Sequence, residues 1–116
     1  MAVDQIALSI PETKVKEGSS FTATAYFRTR STGVATTPTS IKYRLDCLTT
    51  STELADWTTV SAASSATIAI TATHNAIQSA GNDFEMKQLV VATDYGLSTQ
   101  YVESVQWQVQ NLFGSP

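Results

Sequence analysis

The sequence predicts an all-β chain, folded as a two-sheet sandwich of about seven strands over residues 1–116, and three observations carry that prediction. Several segments alternate apolar and polar side chains with a period of two, the pattern of a strand with one buried face. Those segments are rich in Thr, Val and Ile, whose branched Cβ suits a pleated surface, while charged residues make up only 15% of the chain. Gly, Pro, Asn, Asp and Ser collect between the segments at short intervals, as turns do. A single domain of this length buries roughly 65% of the surface its unfolded chain exposes, so a core is expected without disulfide staples.

The firmest stretch is Phe84 to Leu112, which predicts two long strands joined at Asp94-Tyr95-Gly96. In its second half Tyr101, Val105, Trp107 and Val109 fall on one side and Ser104, Gln106, Gln108 and Gln110 on the other. Taking the chain from its start, Ile6, Leu8 and Ile10 alternate with small residues until Pro11, which has no amide hydrogen for a ladder. An edge strand is expected there, resuming over Thr13 to Lys16 before a turn at Glu17-Gly18-Ser19. Phe21, Ala23, Ala25 and Phe27 then define one face of a strand, with Thr22, Thr24, Tyr26 and Arg28 opposite.

A polar connection through Gly33 and Pro38 leads to a strand from about Ser40, with Ile41, Tyr43, Leu45 and Cys47 inward and Lys42, Arg44 and Asp46 outward. Slipping that register by one residue would bury three charges. Thr49 to Asp56 is polar and turn-prone, followed by a brief strand, Trp57 to Val60, expected to switch between sheets. Ile68, Ile70 and Ala72 mark another strand; a helix over Ala62 to Ala72 is the competing reading, disfavoured by its Ser, Thr and Ile content. Gln78 to Asp83 is a loop, and Phe113 to Pro116 an untethered, flexible C-terminal tail.

Composition narrows the chemistry. A net charge of -3 with seven scattered Lys and Arg argues against nucleic-acid binding, which needs clustered cations on phosphates. The longest apolar run, Leu89 to Ala92, is too short to span a bilayer, and the N-terminus has no signal-peptide pattern, so no membrane role and cytoplasmic synthesis are expected. Cys47 is the single cysteine and sits at an inward strand position, which suggests a small buried hydrophobe. A hydrolytic triad would have to use His74, the one histidine, and no nucleophile elbow accompanies it. Asn82, Asp83 and Glu85 offer oxygens to calcium without the spaced acidic ladder of a binding loop. The remaining acids fall in turns and on strand exteriors, the pattern of solvated charges, so neither an enzyme nor a cofactor is expected.

The run KVKEGSSFTATAYFRTRSTGVATTPTSIKYRLDC, Lys14 to Cys47, resembles the start of the immunoglobulin-like and fibronectin type III-like domains common in tailed-phage structural proteins. VVATDYG, Val90 to Gly96, resembles the fibronectin-type penultimate strand, V-x-A-x-D/N and then a glycine turn. The resemblance runs from about Lys14 to Leu112, with two departures: the early-strand tryptophan is replaced by Tyr26 or Phe27 in its vicinity, and the antibody-type cysteine pair is missing. It implies an immunoglobulin-like sandwich and a virion component on the capsid exterior. Such a component would be a decoration (cement) protein binding the major capsid protein lattice, or a neck or tail accessory protein.

Candidate contacts follow from edges and aromatics. Open sandwiches leave edge strands with unpaired amides that accept another chain, here Gln5 to Ile10 with Ile6 and the strand ending at Leu112. Met1-Ala2-Val3 forms a short apolar arm with no evident core position, and it and Leu112-Phe113 are candidates for packing on a virion protein or a second copy. Trp57, Tyr95 and Tyr101 are the aromatic candidates, for a protein partner or, alternatively, as a stacking platform for a surface glycan.

Overall fold

The computed structural model describes residues 3–112, so the expectations placed on Met1, Ala2 and Phe113 to Pro116 lie outside the described residues. Among the described residues the chain is all-β, with nine strands in two packed sheets. Two of them are very short, β2 (Lys14–Lys16) and β4 (Val34–Ala35); the other seven have five residues or more. The smaller sheet is built on β3 (Phe21–Thr29), which pairs with β1 (Gln5–Ser9), β4 and β7 (Ser65–Ile70). The larger sheet runs β2-β9-β8-β5-β6, with β5 at Ile41–Cys47, β6 at Thr52–Val60, β8 at Phe84–Thr93 and β9 at Tyr101–Gln110. No helix among the described residues is long and apolar enough to cross a membrane.

Pro11 lies where the chain changes sheets. With no amide hydrogen at that position the β1 ladder ends, and β2 joins the other sheet parallel to β9, Val15 opposite Val109. Gly18, at φ +74°, makes the turn that follows and is conformationally suited to it. The expected alternations hold on most strands: Ala23, Ala25 and Phe27 are buried on β3, Ile41, Leu45 and Cys47 on β5, and Ala66, Ile68 and Ile70 on β7, whereas Ala72, expected beside Ile68 and Ile70, lies past the end of β7 and is exposed. Their inner faces interlock with Leu89, Val91, Trp107 and Val109 in one core. The segment around Ala62 to Ala72 is strand at Ser65–Ile70, not helix.

Further expectations change. Val3, expected to lack a core position, is only 2% exposed and belongs to the core with Ile6. The β8–β9 connection runs from Asp94 to Gln100, longer than the three-residue join expected. Most of the stretch Thr49 to Asp56 is strand: β6 begins at Thr52 and stays beside β5 throughout, so it does not switch sheets. The register explains why its period was hidden. Tyr43 faces Thr58 and Leu45 faces Ala55, so Asp56 and Trp57 together oppose the single Arg44. An extra residue of this kind is a bulge, and a second shift follows at once, Leu45 facing Ala55 but Asp46 facing Glu53; each breaks the alternation that a pattern search detects.

Candidate partner-binding face

The outer face of the larger sheet takes its character from β5. Because Ile41, Leu45 and Cys47 point inward, Lys42, Arg44 and Asp46 must point outward. Arg44 forks onto Asp46, with Nε and Nη2 each donating at 2.9 Å, and also lies 3.5 Å from Glu53 and 3.7 Å from Asp56 on β6. The carboxylate of Asp46, bonded to the fork, is the main reason the guanidinium pKa is raised, so Arg44 stays charged.

Beside this cluster Trp57 and Tyr95 are in contact, ring centroids 5.0 Å apart and planes tilted by 47°. The Lys42 ammonium lies 4.8 Å from the centre of the Tyr95 ring, a cation–π contact. Tyr95 is 40% exposed yet firmly held, because Asp94 organises the loop that carries it. Asp94 adopts φ +50°, tolerable for Asp, and its carboxylate accepts from the Thr39 amide at 2.8 Å and the Thr99 hydroxyl at 2.7 Å. The Asp94 amide donates to the Ser40 carbonyl and the Tyr95 amide to the Ser40 hydroxyl. Burial pushes the Asp94 carboxyl pKa up, but hydrogen bonds from Thr99, Thr39 and Ser40 outweigh it and hold the group below its ordinary value. Gly96, at φ +83°, donates its amide to Gln100 Oε1 and completes the turn.

The six residues singled out by type therefore scatter. Trp57 and Tyr95 come together; Tyr101 does not join them, its hydroxyl accepting instead from Arg30 Nη2 at 3.1 Å. Val3 and Ile6 are core, and Phe113 lies outside the described residues. Lys42, Arg44 and Asp94 were missed as site residues. The outward K-x-R-x-D alternation of β5 was a usable signal for the first two, whereas nothing in the local sequence announces the anchoring role of Asp94.

At the far end of the sheet lies a second cluster, and it corrects the expectation that the acids are all solvated. Glu85 and Lys87, successive inward residues of β8, are both fully buried and 3.1 Å apart. Glu85 accepts from the Gln78 amide (2.7 Å), the Ser79 amide (2.9 Å) and Asn82 Nδ2 (3.0 Å), and the Cys47 thiol donates to it at 3.6 Å. Asn82 and Glu85, weighed for calcium, are thus bonded to each other. Burial alone would raise the Glu85 pKa; the donors of Gln78, Asn82, Ser79 and Lys87 together reverse the sign and bring it down to about 2. Lys87 Nζ also donates to the Ala76 carbonyl at 2.9 Å. Next to it the buried Asn75 accepts from Trp107 Nε1 at 2.8 Å and donates to the Ser19 carbonyl.

His74 Nδ1 accepts the Thr71 amide at 3.0 Å, and burial lowers the imidazole pKa. Among the described residues no three His, Cys, Asp or Glu side chains group closely enough to hold a metal ion. No protein-family model, curated protein or solved structure matches the chain.

Proposed function

We propose that this protein is a non-enzymatic virion structural protein of phage type, and that it decorates the capsid exterior by binding the major capsid protein lattice through the outer face of its larger sheet. The observation that carries this reading is the Trp57–Tyr95 pair, ring centroids 5.0 Å apart, with Tyr95 40% exposed on the Asp94-anchored loop, Lys42 4.8 Å from its ring, and Arg44 opposite Trp57 in the β5–β6 register. A partly exposed aromatic pair on a strand that faces an Arg, on a surface already ordered before binding, has the usual ingredients of an interface hot spot. The likeness of Lys14 to Cys47 and Val90 to Gly96 to phage immunoglobulin-like domains supplies the virion context. A ligand that binds only the assembled shell stabilises it by linkage, and weak single contacts suffice when sites repeat across a lattice.

Co-sedimentation with shells assembled from the major capsid protein tests this. The wild type should saturate the shells at a fixed ratio and raise their resistance to heat, and Trp57→Ala with Tyr95→Ala should weaken binding by at least about tenfold while the chain stays folded. Binding confined to isolated necks or tails would move the protein to the accessory position; binding to neither particle fraction would end the virion reading. A glycan platform is the less favoured occupant, because rings tilted by 47° offer no common plane and Tyr101 sits elsewhere.

A further inference from the structure

We propose that the open edge of β6 receives an extended, basic segment of the partner protein as an added strand of the larger sheet, an inference that rests on the binding role above and specifies the partner's chemistry. Among the described residues β6 pairs only with β5, so outside the bulge at Asp56 and Trp57 its other edge has no strand partner for its amides and carbonyls. The other edges are shorter: β4 has two residues, β2 has three with Lys14 and Lys16 exposed, β1 has five, β7 six, and β9 is left open only over 101–107 because β2 covers 108–110. Short or lysine-flanked edges resist strand addition. β6 is nine residues long and contains neither lysine nor proline.

Charge selects the occupant. The Arg44 fork is committed to Asp46, while Glu53 and Asp56 stand further off at 3.5 and 3.7 Å with side chains 47% and 72% exposed. Lys42, the other cation of this face, rests on the Tyr95 ring. β6 itself carries two carboxylates and no cation, and with Lys42, Arg44 and Asp46 of β5 the face has three carboxylates to two cations, a surplus that complements lysines or arginines on an incoming strand. The same charge disfavours a second copy of this chain: antiparallel pairing of two β6 strands about a two-fold axis sets Glu53 and Asp56 of one beside those of the other. At the bulge the strand satisfies its own groups, the Asp56 carboxylate accepting the Trp57 amide at 2.7 Å and the Thr58 hydroxyl donating to the Asp56 carbonyl, so the added strand bonds on either side of it. The edge is closed to its own kind and open to a basic strand.

The probe is a capped peptide of about nine residues alternating Thr and Lys, the length of β6, compared with its Thr and Glu counterpart by amide hydrogen exchange on the full chain at low salt. The Thr/Lys peptide should slow exchange within residues 52–60, and Glu53→Gln with Asp56→Asn, which keeps the acceptor for Trp57, should weaken it by about tenfold. Equal binding of the Thr/Glu peptide, protection elsewhere, or no binding overturns the proposal. So does concentration-dependent self-association that protects residues 52–60 without peptide. Shell binding that survives the Glu53/Asp56 changes but fails in Trp57→Ala with Tyr95→Ala removes strand addition and leaves the decorating role intact.

Discussion

Two clusters of paired charges occupy neighbouring strands of the larger sheet, one on each face, and they hold their charges by different means. On the outer face the Arg44 side chain is one-third exposed, and two of its three carboxylates lie at 3.5 and 3.7 Å, distances too long for firm hydrogen bonds. Water completes the solvation of each ion there, so the geometry can stay loose and the energetic return is small. On the inner face Glu85 and Lys87 have no exposure at all, and fixed donors replace water: two backbone amides, Asn82, Cys47 and the ammonium on the carboxylate, with the Ala76 carbonyl on the ammonium. Every buried side-chain nitrogen and oxygen among the described residues has a partner. A charge inside the sandwich must be satisfied within the chain, whereas a charge on its outer face is left with capacity for another molecule. The first arrangement serves the fold, and the second is where a partner can act.

The contrast is easiest to break by removing one member of each cluster. Glu85→Ala strands the Lys87 ammonium in the core and should cost about 3–5 kcal/mol in urea unfolding, while Arg44→Gln should leave the midpoint near that of the wild type. Equal losses would erase the distinction. Replacing both buried ions, Glu85→Leu with Lys87→Met, should recover part of the loss: no unpaired charge remains, but the Gln78 and Ser79 amides and the Ala76 carbonyl lose their partners.

Acid gives the next largest effect. The Glu85 carboxyl sits at about 2 in the folded chain against an ordinary 4.5, so its stabilisation is complete above pH 4.5 and is lost as pH falls through the window down to about 2. Urea stability should decline by up to ~3 kcal/mol across that window, and Glu85→Gln should flatten the decline. Trp107→Phe comes third: it keeps an aromatic ring against Phe21 but leaves Asn75 Oδ1 without its donor, for about 1–3 kcal/mol. Trp57→Ala is expected to be smallest, within about 1 kcal/mol of wild-type stability by the same urea assay, because half-exposed residues contribute less than buried ones. A large loss there would make Trp57 part of the scaffold.

Strand faces were legible wherever the alternation is unbroken. On β3, β5, β7 and β9 the inward residues can be named from the chain, because only one phase of a period-two pattern keeps Lys42, Arg44 and Asp46 out of the core. The alternation failed at β6, where the bulge opposite Arg44 inserts a residue, and at Val3, whose apolar character was plain but whose place depended on a neighbouring element closing over it. Of the candidate face, Trp57 and Tyr95 were recognisable by type but not as a pair: 37 residues of chain separate them, and their contact exists because Asp94 ties its loop to Thr39 and Ser40.

By itself, then, the sequence determined an all-β sandwich and most of its inward faces, since burial of apolar side chains on alternate positions is a local property of each strand. Only the tertiary structure decided that Glu85 and Lys87 are core residues. A charged pair looks the same in sequence whether water or the protein solvates it, and here the solvating groups come from β5 and from the loop between β7 and β8.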